Sequence, residues 1–178
     1  MAMDPQHFRS LIEQHQRMVF SIALRIAGEY GTAEEVAQDV FLELFRTAQP
    51  FEGPDHIRFW LRRVTVHRAT DALRRQARQP ESEADEWLDE LHTPAAVEPD
   101  VSVSLAIAAR LDELLRALPE TMRVPVVLRY QEDMTPEEIA HLLGQPLATV
   151  KSHLQRGLKL MRRKAEITMK EYVRHGNA

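Results

Sequence analysis

The sequence of 178 residues contains no cysteine, so neither a disulfide nor a thiolate metal site can hold the fold. Only 6% of it is aromatic, six residues are glycine, and long alternating β-branched runs are absent. Leu, Ala, Arg and Glu dominate, which favours helices. No segment approaches the roughly 18 apolar residues of a membrane span, and the start, MAMDPQHF, lacks a secretory pattern. We therefore expect an all-α protein that stays in the cytosol.

Charge is unevenly distributed along the chain. The net charge is −4, yet residues 79–100 alone carry eight acids, no lysine or arginine, and three prolines. The flanking segments, 1–78 and 101–178, have net charges of +1 and +3. A self-repelling, proline-interrupted acidic stretch is typical of an extended linker. The sequence thus predicts two small helical domains, 1–78 and 101–178, joined by an acidic linker.

Apolar spacing and end signals predict helices in both domains. In the first domain we expect helices over about 5–28, 32–47 and 56–78, the second opened by a Thr32/Glu35 capping box. In the second domain we expect helices over about 101–118, 120–130, 136–144 and 147–172. Thr135 is the expected N-cap of the sixth helix, with a proline directly after it.

The last two helices have the spacing of a helix-turn-helix. Ala140 provides the small residue where the second helix crosses the first, Gly144 permits a positive-φ turn, and Val150 plugs the interface. Such a unit places its second helix in the major groove of DNA. The second domain is therefore predicted to bind duplex DNA.

The final helix has one apolar and one cationic face when it is projected at 100° per residue. Five apolar residues fall within an arc of about 80°, whereas Leu160 lies on the opposite side. The apolar five are Leu147, Val150, Leu154, Leu158 and Met161. No acid occurs between 147 and 164. An ordinary solvated face would mix both signs of charge, so we favour DNA contact. The expected contacts are Thr149, Lys151, Ser152 and His153 to bases, and Arg156, Lys159, Arg162 and Arg163 to phosphates.

Three stretches narrow the class of protein. They are AEEVAQDVFLELFR (33–46), WLRRVTVHRATDALRR (60–75) and LPETMRVPVVLRYQEDMTPEEIAHLLGQPLATVKSHLQRGLKLMRR (118–163). Together they resemble the extracytoplasmic-function group of bacterial RNA polymerase sigma factors. The resemblance implies a non-enzymatic initiation factor without cofactor or metal, with sigma region 2 in the first domain and region 4 in the second.

The second helix carries a polar stripe around one leucine. Spacing alone favours an ordinary solvated stripe here. The resemblance instead implies that the matching residues bind the clamp helices of the largest subunit of core polymerase. The expected polymerase contacts are Glu35, Gln38, Asp39 and Leu42.

The third helix combines an aromatic residue with cations on one side, which suits single-stranded nucleic acid. Spacing alone leaves Trp60 equally able to be a core residue. The resemblance implies that this helix and the loop 51–55 capture a melted base of the −10 promoter element. The expected contacts are Phe51, Trp60, Arg63, His67, Asp71, Arg74, Arg75 and Arg78.

Two departures from the family pattern concern promoter choice. The family usually has asparagine where His67 stands, and Gly-Thr-Val-Lys-Ser-Arg where residues 148–153 read ATVKSH. His153 thus replaces an arginine, which is a strong reader of guanine. The promoter sequence is therefore left open.

The resemblance also implies an anti-sigma partner, and three rival functions remain to be tested. A sigma mimic that sequesters an anti-sigma factor would not need the basic last helix. An ordinary helix-turn-helix regulator would leave the 33–46 stretch unexplained. A di-iron enzyme could use Glu138 and His141, a Glu-x-x-His pair, but the second copy that such a site needs is missing.

Overall fold

The structure, a computed structural model, describes residues 4–47, 51–78 and 99–175. Within these ranges it is built of helices without a strand, as predicted. The elements are α1 (Pro5–Ala27), α2 (Tyr30–Arg46), α3 (Pro54–Gln76), α4 (Pro99–Arg116), α5 (Glu120–Tyr130), α6 (Pro136–Leu143) and α7 (Leu147–His175). Most of the predicted linker, residues 79–98, lies outside the described ranges, and α4 already begins within its last two positions.

Helices α1, α2 and α3 pack on one another around a shared apolar core. Val19, Ile22 and Ile26 of α1 are fully buried, as are Leu44 of α2 and Leu61 of α3. On each helix the buried apolar residues are three or four positions apart, so they form one apolar stripe. The three stripes face one another in the core. The polar residues between them are left to form outward faces.

The predicted capping box at the start of α2 is wrong. The helix begins earlier, after Glu29, and no side chain caps it. Thr32 instead donates its hydroxyl hydrogen to the Glu29 carboxylate and accepts a bond from Gln76 Nε2 at 2.9 Å. Gln76 also donates to Glu29 at 2.7 Å. The threonine therefore ties α2 to the end of α3, a long-range partner that the local pattern does not show.

The ends of α6 match the sequence expectation. The Thr135 hydroxyl accepts from the Glu138 backbone N–H at 3.2 Å, and the Glu138 carboxylate accepts from the Thr135 N–H at 2.7 Å. Gly144 closes the helix with φ of 62°, a left-handed conformation that favours glycine. The turn that sets α7 against α6 is thus held at both ends by local chemistry.

Helix α7 is rotated about its axis relative to the predicted apolar arc. Leu158 is 38% exposed, whereas Leu160 packs against the core. The cause is Gly157, which is buried: a Cβ there would lie 3.0 Å from Val126 Cγ2 on α5. Because glycine allows this close approach, the contact face is centred near residue 157. The assignments of Leu158 to the buried face and Leu160 to the exposed one were wrong.

Candidate DNA and polymerase interfaces

The helix-turn-helix is assembled by α6 and α7. Ile139, Leu142 and Val150 are buried between the two helices and α5, so Val150 fills the crossing as expected. After the left-handed turn at Gly144, the N–H of Gln145 donates to the Ala140 carbonyl at 3.0 Å. The start of α7 is therefore held rigidly, as a reading helix requires.

The outward face of α7 is exposed and cationic. Lys151, Arg156, Lys159, Arg162 and Arg163 are all exposed. Lys151 lies 3.6 Å from the Glu137 carboxylate, an exposed pair of small energetic weight. Within the described part of the chain, no carboxylate pairs with the other four cations. Their charge is available to an external polyanion.

The remaining predicted base contacts lie at the border of this face. Thr149, Ser152 and His153 are half-buried. His153 has its Nδ1 atom buried without a hydrogen-bond partner, so part of the imidazole points toward the protein. The rotation of α7 moves His153 toward the core and Lys151, Gln155 and Lys159 toward the centre of the exposed face.

The predicted polymerase contacts on α2 lie together on its exposed side. Glu35, Gln38, Asp39 and Leu42 are all exposed, with Leu42 at 49%. Sequence reasoning missed Phe45, which is 39% exposed and whose ring centroid lies 5.0 Å from that of Phe8. It follows Leu42 by three residues and so extends the stripe. Leu42 and Phe45 therefore leave apolar surface exposed within a polar stripe.

Aromatic residues cluster where the 51–55 loop meets α3. The Phe51 ring lies 5.7 Å from Trp60 and 5.5 Å from His56, edge-on in both cases. Trp60 is half-buried and packs against the core, so it combines a structural contact with an accessible edge. The loop and the helix therefore bring together the aromatic groups on which a base can stack.

The polar residues predicted for the −10 strand follow along the exposed side of α3. All of them are exposed: Arg63, His67, Asp71, Arg74, Arg75 and Arg78. An open cleft of about 920 Å³ lies between α2 and the C-terminal half of α3, and is lined by Gln38 and Asp39 on one wall and Arg75 and Arg78 on the other. Arg74 differs from its neighbours, because its guanidinium binds both oxygens of Glu120 on α5 at 2.7 and 3.0 Å.

The Glu-x-x-His pair of α6 serves the fold. The hydrogen bonds that the Glu138 carboxylate accepts from the backbone N–H and the hydroxyl of Thr135 lower the pKa of Glu138 below its usual range. The His141 ring packs on Phe59, with centroids 5.2 Å apart. Among the described residues no group of three or more acids or histidines is arranged to hold a metal ion. No described helix has the length and apolar character to cross a membrane.

Comparisons with known proteins agree with this geometry. A family model described as "Sigma-70 region 2" matches residues 11–79, and one described as "Sigma-70, region 4" matches residues 108–161. The ECF RNA polymerase sigma factor SigE of Mycolicibacterium smegmatis is 31% identical over 85% of this chain and 59% of its own length. The ECF sigma factor SigW of Bacillus subtilis is 22% identical over 90% and 89% of the two chains.

Two solved structures share the fold. One is CnrH bound to the cytosolic domain of CnrY, with a TM-score of 0.63 and 19% identity over 92% of this chain and 90% of that one. The other is the sigma factor RpoE of Bartonella quintana bound to the anti-sigma factor NepR. There the TM-score is 0.66 and the identity 15%, over 91% of this chain and 98% of that one.

A helix-turn-helix with an open cationic face, beside a second helical unit with aromatic and cationic side chains, is the arrangement of a DNA-binding protein. The paired matches to regions 2 and 4 make the class specific. The chain belongs to the extracytoplasmic-function group of the sigma-70 family of RNA polymerase sigma factors.

Proposed function

We propose that this chain directs core RNA polymerase to promoters through three separate surfaces. Residues 1–78 act as region 2 and residues 101–178 as region 4. The α2 stripe of Glu35, Gln38, Asp39 and Leu42 binds the clamp helices of the largest polymerase subunit. Phe51, Trp60 and the polar side of α3 hold the melted −10 strand, and α7 reads the −35 duplex. The observation that carries the proposal is the exposed face of α7, whose arginines and Lys159 have no carboxylate partner among the described residues.

The −35 role follows from the electrostatics of α7. Each cation that neutralises a DNA phosphate makes the affinity more sensitive to salt. Because this face carries several unpaired cations, duplex binding should weaken steeply as the salt concentration rises. Lys151 and Ser152 stand near the start of the helix, where side chains meet base edges. His153 replaces the arginine usual in the family, and its half-buried ring gives it less reach, so we propose weak discrimination at the matching base pair.

Run-off transcription with purified core polymerase on a library of genomic promoter fragments tests the function. We expect transcripts that start downstream of a shared two-part motif. Replacing Gln38 and Leu42 with alanine should abolish initiation by removing polymerase binding, whereas Gln16→Ala, at an exposed position of α1, should not. Polymerase binding without transcription on any fragment would instead support a sigma mimic.

We also propose an anti-sigma partner and a bacterial cytoplasmic location. The solved sigma factor RpoE, which shares this fold, is held by the anti-sigma factor NepR. Core polymerase and promoter DNA are both cytoplasmic in bacteria, and the curated relatives named above are bacterial proteins. Co-purification of the tagged full chain from its native host, followed by identification of the bound proteins, tests the partner. Recovery of polymerase subunits alone would contradict it.

A further inference from the structure

Among the described residues, three ion pairs with measured distances join the helices α1–α3 to the helices α4–α7, and these three have the same polarity. In each pair the N-terminal helices supply the arginine and the C-terminal helices supply the carboxylate. The pairs are Arg25–Asp112 at 3.3 Å, Arg62–Glu132 at 2.9 Å and Arg74–Glu120 at 2.7 Å. We call Asp112, Glu120 and Glu132 the acidic edge of the C-terminal helices.

The pair at Glu132 is the most shielded of the three. The side chains of Arg62 and Glu132 are 17% and 8% exposed, and Arg62 also donates to the Glu132 carbonyl at 3.2 Å. The adjacent Gln131 accepts from Arg25 at 2.7 Å and donates to Ser21 at 2.9 Å. The contact is therefore a satisfied polar network, and not a single surface pair.

Arg123 on α5 forms the buried part of the same junction. Its guanidinium donates to the Ile26 carbonyl at the end of α1 at 2.6 Å, and to the Arg116 and Leu118 carbonyls at 2.6 and 3.1 Å. Carbonyls at helix C-termini carry partial negative charge, which a cation stabilises. One side chain thus caps the ends of α1 and α4 together.

This junction overlaps the face proposed for the −10 strand. His67, Asp71 and Arg74 of α3 line a cleft of about 190 Å³ whose opposite wall includes Glu120 and Gln145. Glu120 presents two oxygens to the Arg74 guanidinium, which is the geometry that a phosphate would offer. The Arg74 guanidinium cannot bind a DNA phosphate and the Glu120 carboxylate at the same time.

We propose that the acidic edge is an intramolecular substitute for nucleic acid: it holds the chain closed and covers one end of the −10 face until a DNA strand displaces it. The Arg25–Asp112 and Arg74–Glu120 pairs are displaceable, because ion pairs open to solvent are weak in water. The displacement by DNA rests on the function proposed above, whereas the closure itself does not.

The absence of cysteine makes closure directly measurable. Cysteines introduced at the exposed positions Glu34 on α2 and Glu166 on α7 take a donor and an acceptor dye on the full chain. Energy transfer should be high at low salt and fall as sodium chloride rises, because salt screens the pairs. At low salt, excess single-stranded oligodeoxythymidine should lower it as well. Retained high transfer with the oligonucleotide bound would overturn the proposal.

Matched charge reversals separate the acidic edge from general electrostatics. Glu120→Lys/Glu132→Lys should shift the closed-to-open ratio by about tenfold or more toward open and tighten oligonucleotide binding. The control, Glu113→Lys/Glu137→Lys, changes the charge equally, but its partners Arg110 and Lys151 lie within the C-terminal helices, so closure should persist. Equal opening by the two double variants would overturn the proposal.

A charge swap keeps the proposal falsifiable if a reversal unfolds the chain. Arg74→Glu/Glu120→Arg restores one pair with inverted polarity, so closure should return while oligonucleotide binding stays weaker than in the natural chain. Circular dichroism checks folding of each variant. Normal promoter-directed transcription by a chain that never closes would refute this inference alone, whereas closure without transcription would refute the proposed function alone.

Discussion

Two cationic faces of the molecule differ in what their charges meet. On α7, four exposed cations have no carboxylate partner among the described residues. On α3, Arg74 of the −10 face is bound by Glu120 of the C-terminal helices, and Arg62, which lies outside that face, is bound by Glu132. Residue type is the same on the two faces, and both read as nucleic-acid surfaces in the sequence. A cation is therefore free to bind nucleic acid only where no carboxylate of the same chain already neutralises it.

The largest expected effect concerns the buried junction. Arg123→Ala should lower the free energy of unfolding by about 2–4 kcal/mol, because three carbonyls lose a charged donor. Urea denaturation monitored by circular dichroism measures it. Arg116→Ala, which removes an exposed arginine, is the control. An Arg123→Met variant as stable as the natural chain would show that bulk alone suffices and contradict the capping role.

The second-largest expected effect comes from removing unpaired cations from the exposed face of α7. Arg156→Ala/Lys159→Ala/Arg162→Ala should weaken binding of the holoenzyme to a −35 duplex by about 30- to 100-fold near 0.1 M salt. The slope of log affinity against log salt should fall by about three, one for each lost phosphate contact. The control removes three other exposed arginines, Arg9, Arg17 and Arg116. Equal losses in the two triple variants would show that net charge, and not the α7 face, drives binding.

A smaller effect tests the close contact that sets the direction of the α7 face. Gly157→Ala should destabilise the chain by about 1 kcal/mol although alanine is the better helix former, since its Cβ meets Val126 at 3.0 Å. Adding Val126→Ala should recover part of the loss. A double-mutant cycle from thermal denaturation measures the coupling, and a coupling free energy of zero would contradict the contact.

The smallest expected effect concerns His15, a buried histidine of α1 close to arginines of α3. Burial lowers the pKa of His15, with a further contribution from the charges of Arg58 and Arg62. A folded-state pKa below the unfolded value means that this stability is full above about pH 6.5 and is lost as the pH falls. His15→Leu should flatten the stability profile from pH 7 to 5. An unchanged slope in that variant would show that His15 does not titrate on unfolding.

Local signals predicted the helix-turn-helix well, because its ends are fixed by neighbours in sequence. Thr135 and Glu138, three residues apart, form a capping box at the start of α6. Gly144 ends the helix in a left-handed conformation that depends on no distant residue. Exposure of the α2 stripe was predicted from spacing, since Glu35, Gln38, Asp39 and Leu42 share one side of a helix. The functional roles assigned to these residues stay predictions.

What failed depended on partners that are distant in sequence. Thr32 bonds to Gln76, 44 residues away, and so left the capping role that its local pattern indicated. The arginine and carboxylate of the shielded junction pair, Arg62 and Glu132, are 70 residues apart. Leu158 is exposed and Leu160 packs on the core, the reverse of the prediction, because Gly157 packs on α5. The periodicity of α7 alone does not reveal that contact.

The glycine at 157 has a consequence for how promoter preference can evolve. It lies on the side of α7 away from the exposed cations, yet it fixes the rotation of the helix about its own axis. A larger residue there would have to be accommodated by a shift of α7 against Val126 and Met122, which would change how the side chains of the exposed face meet the DNA bases. A single change behind the reading surface would thus retune sequence preference while every base-contacting residue stays the same.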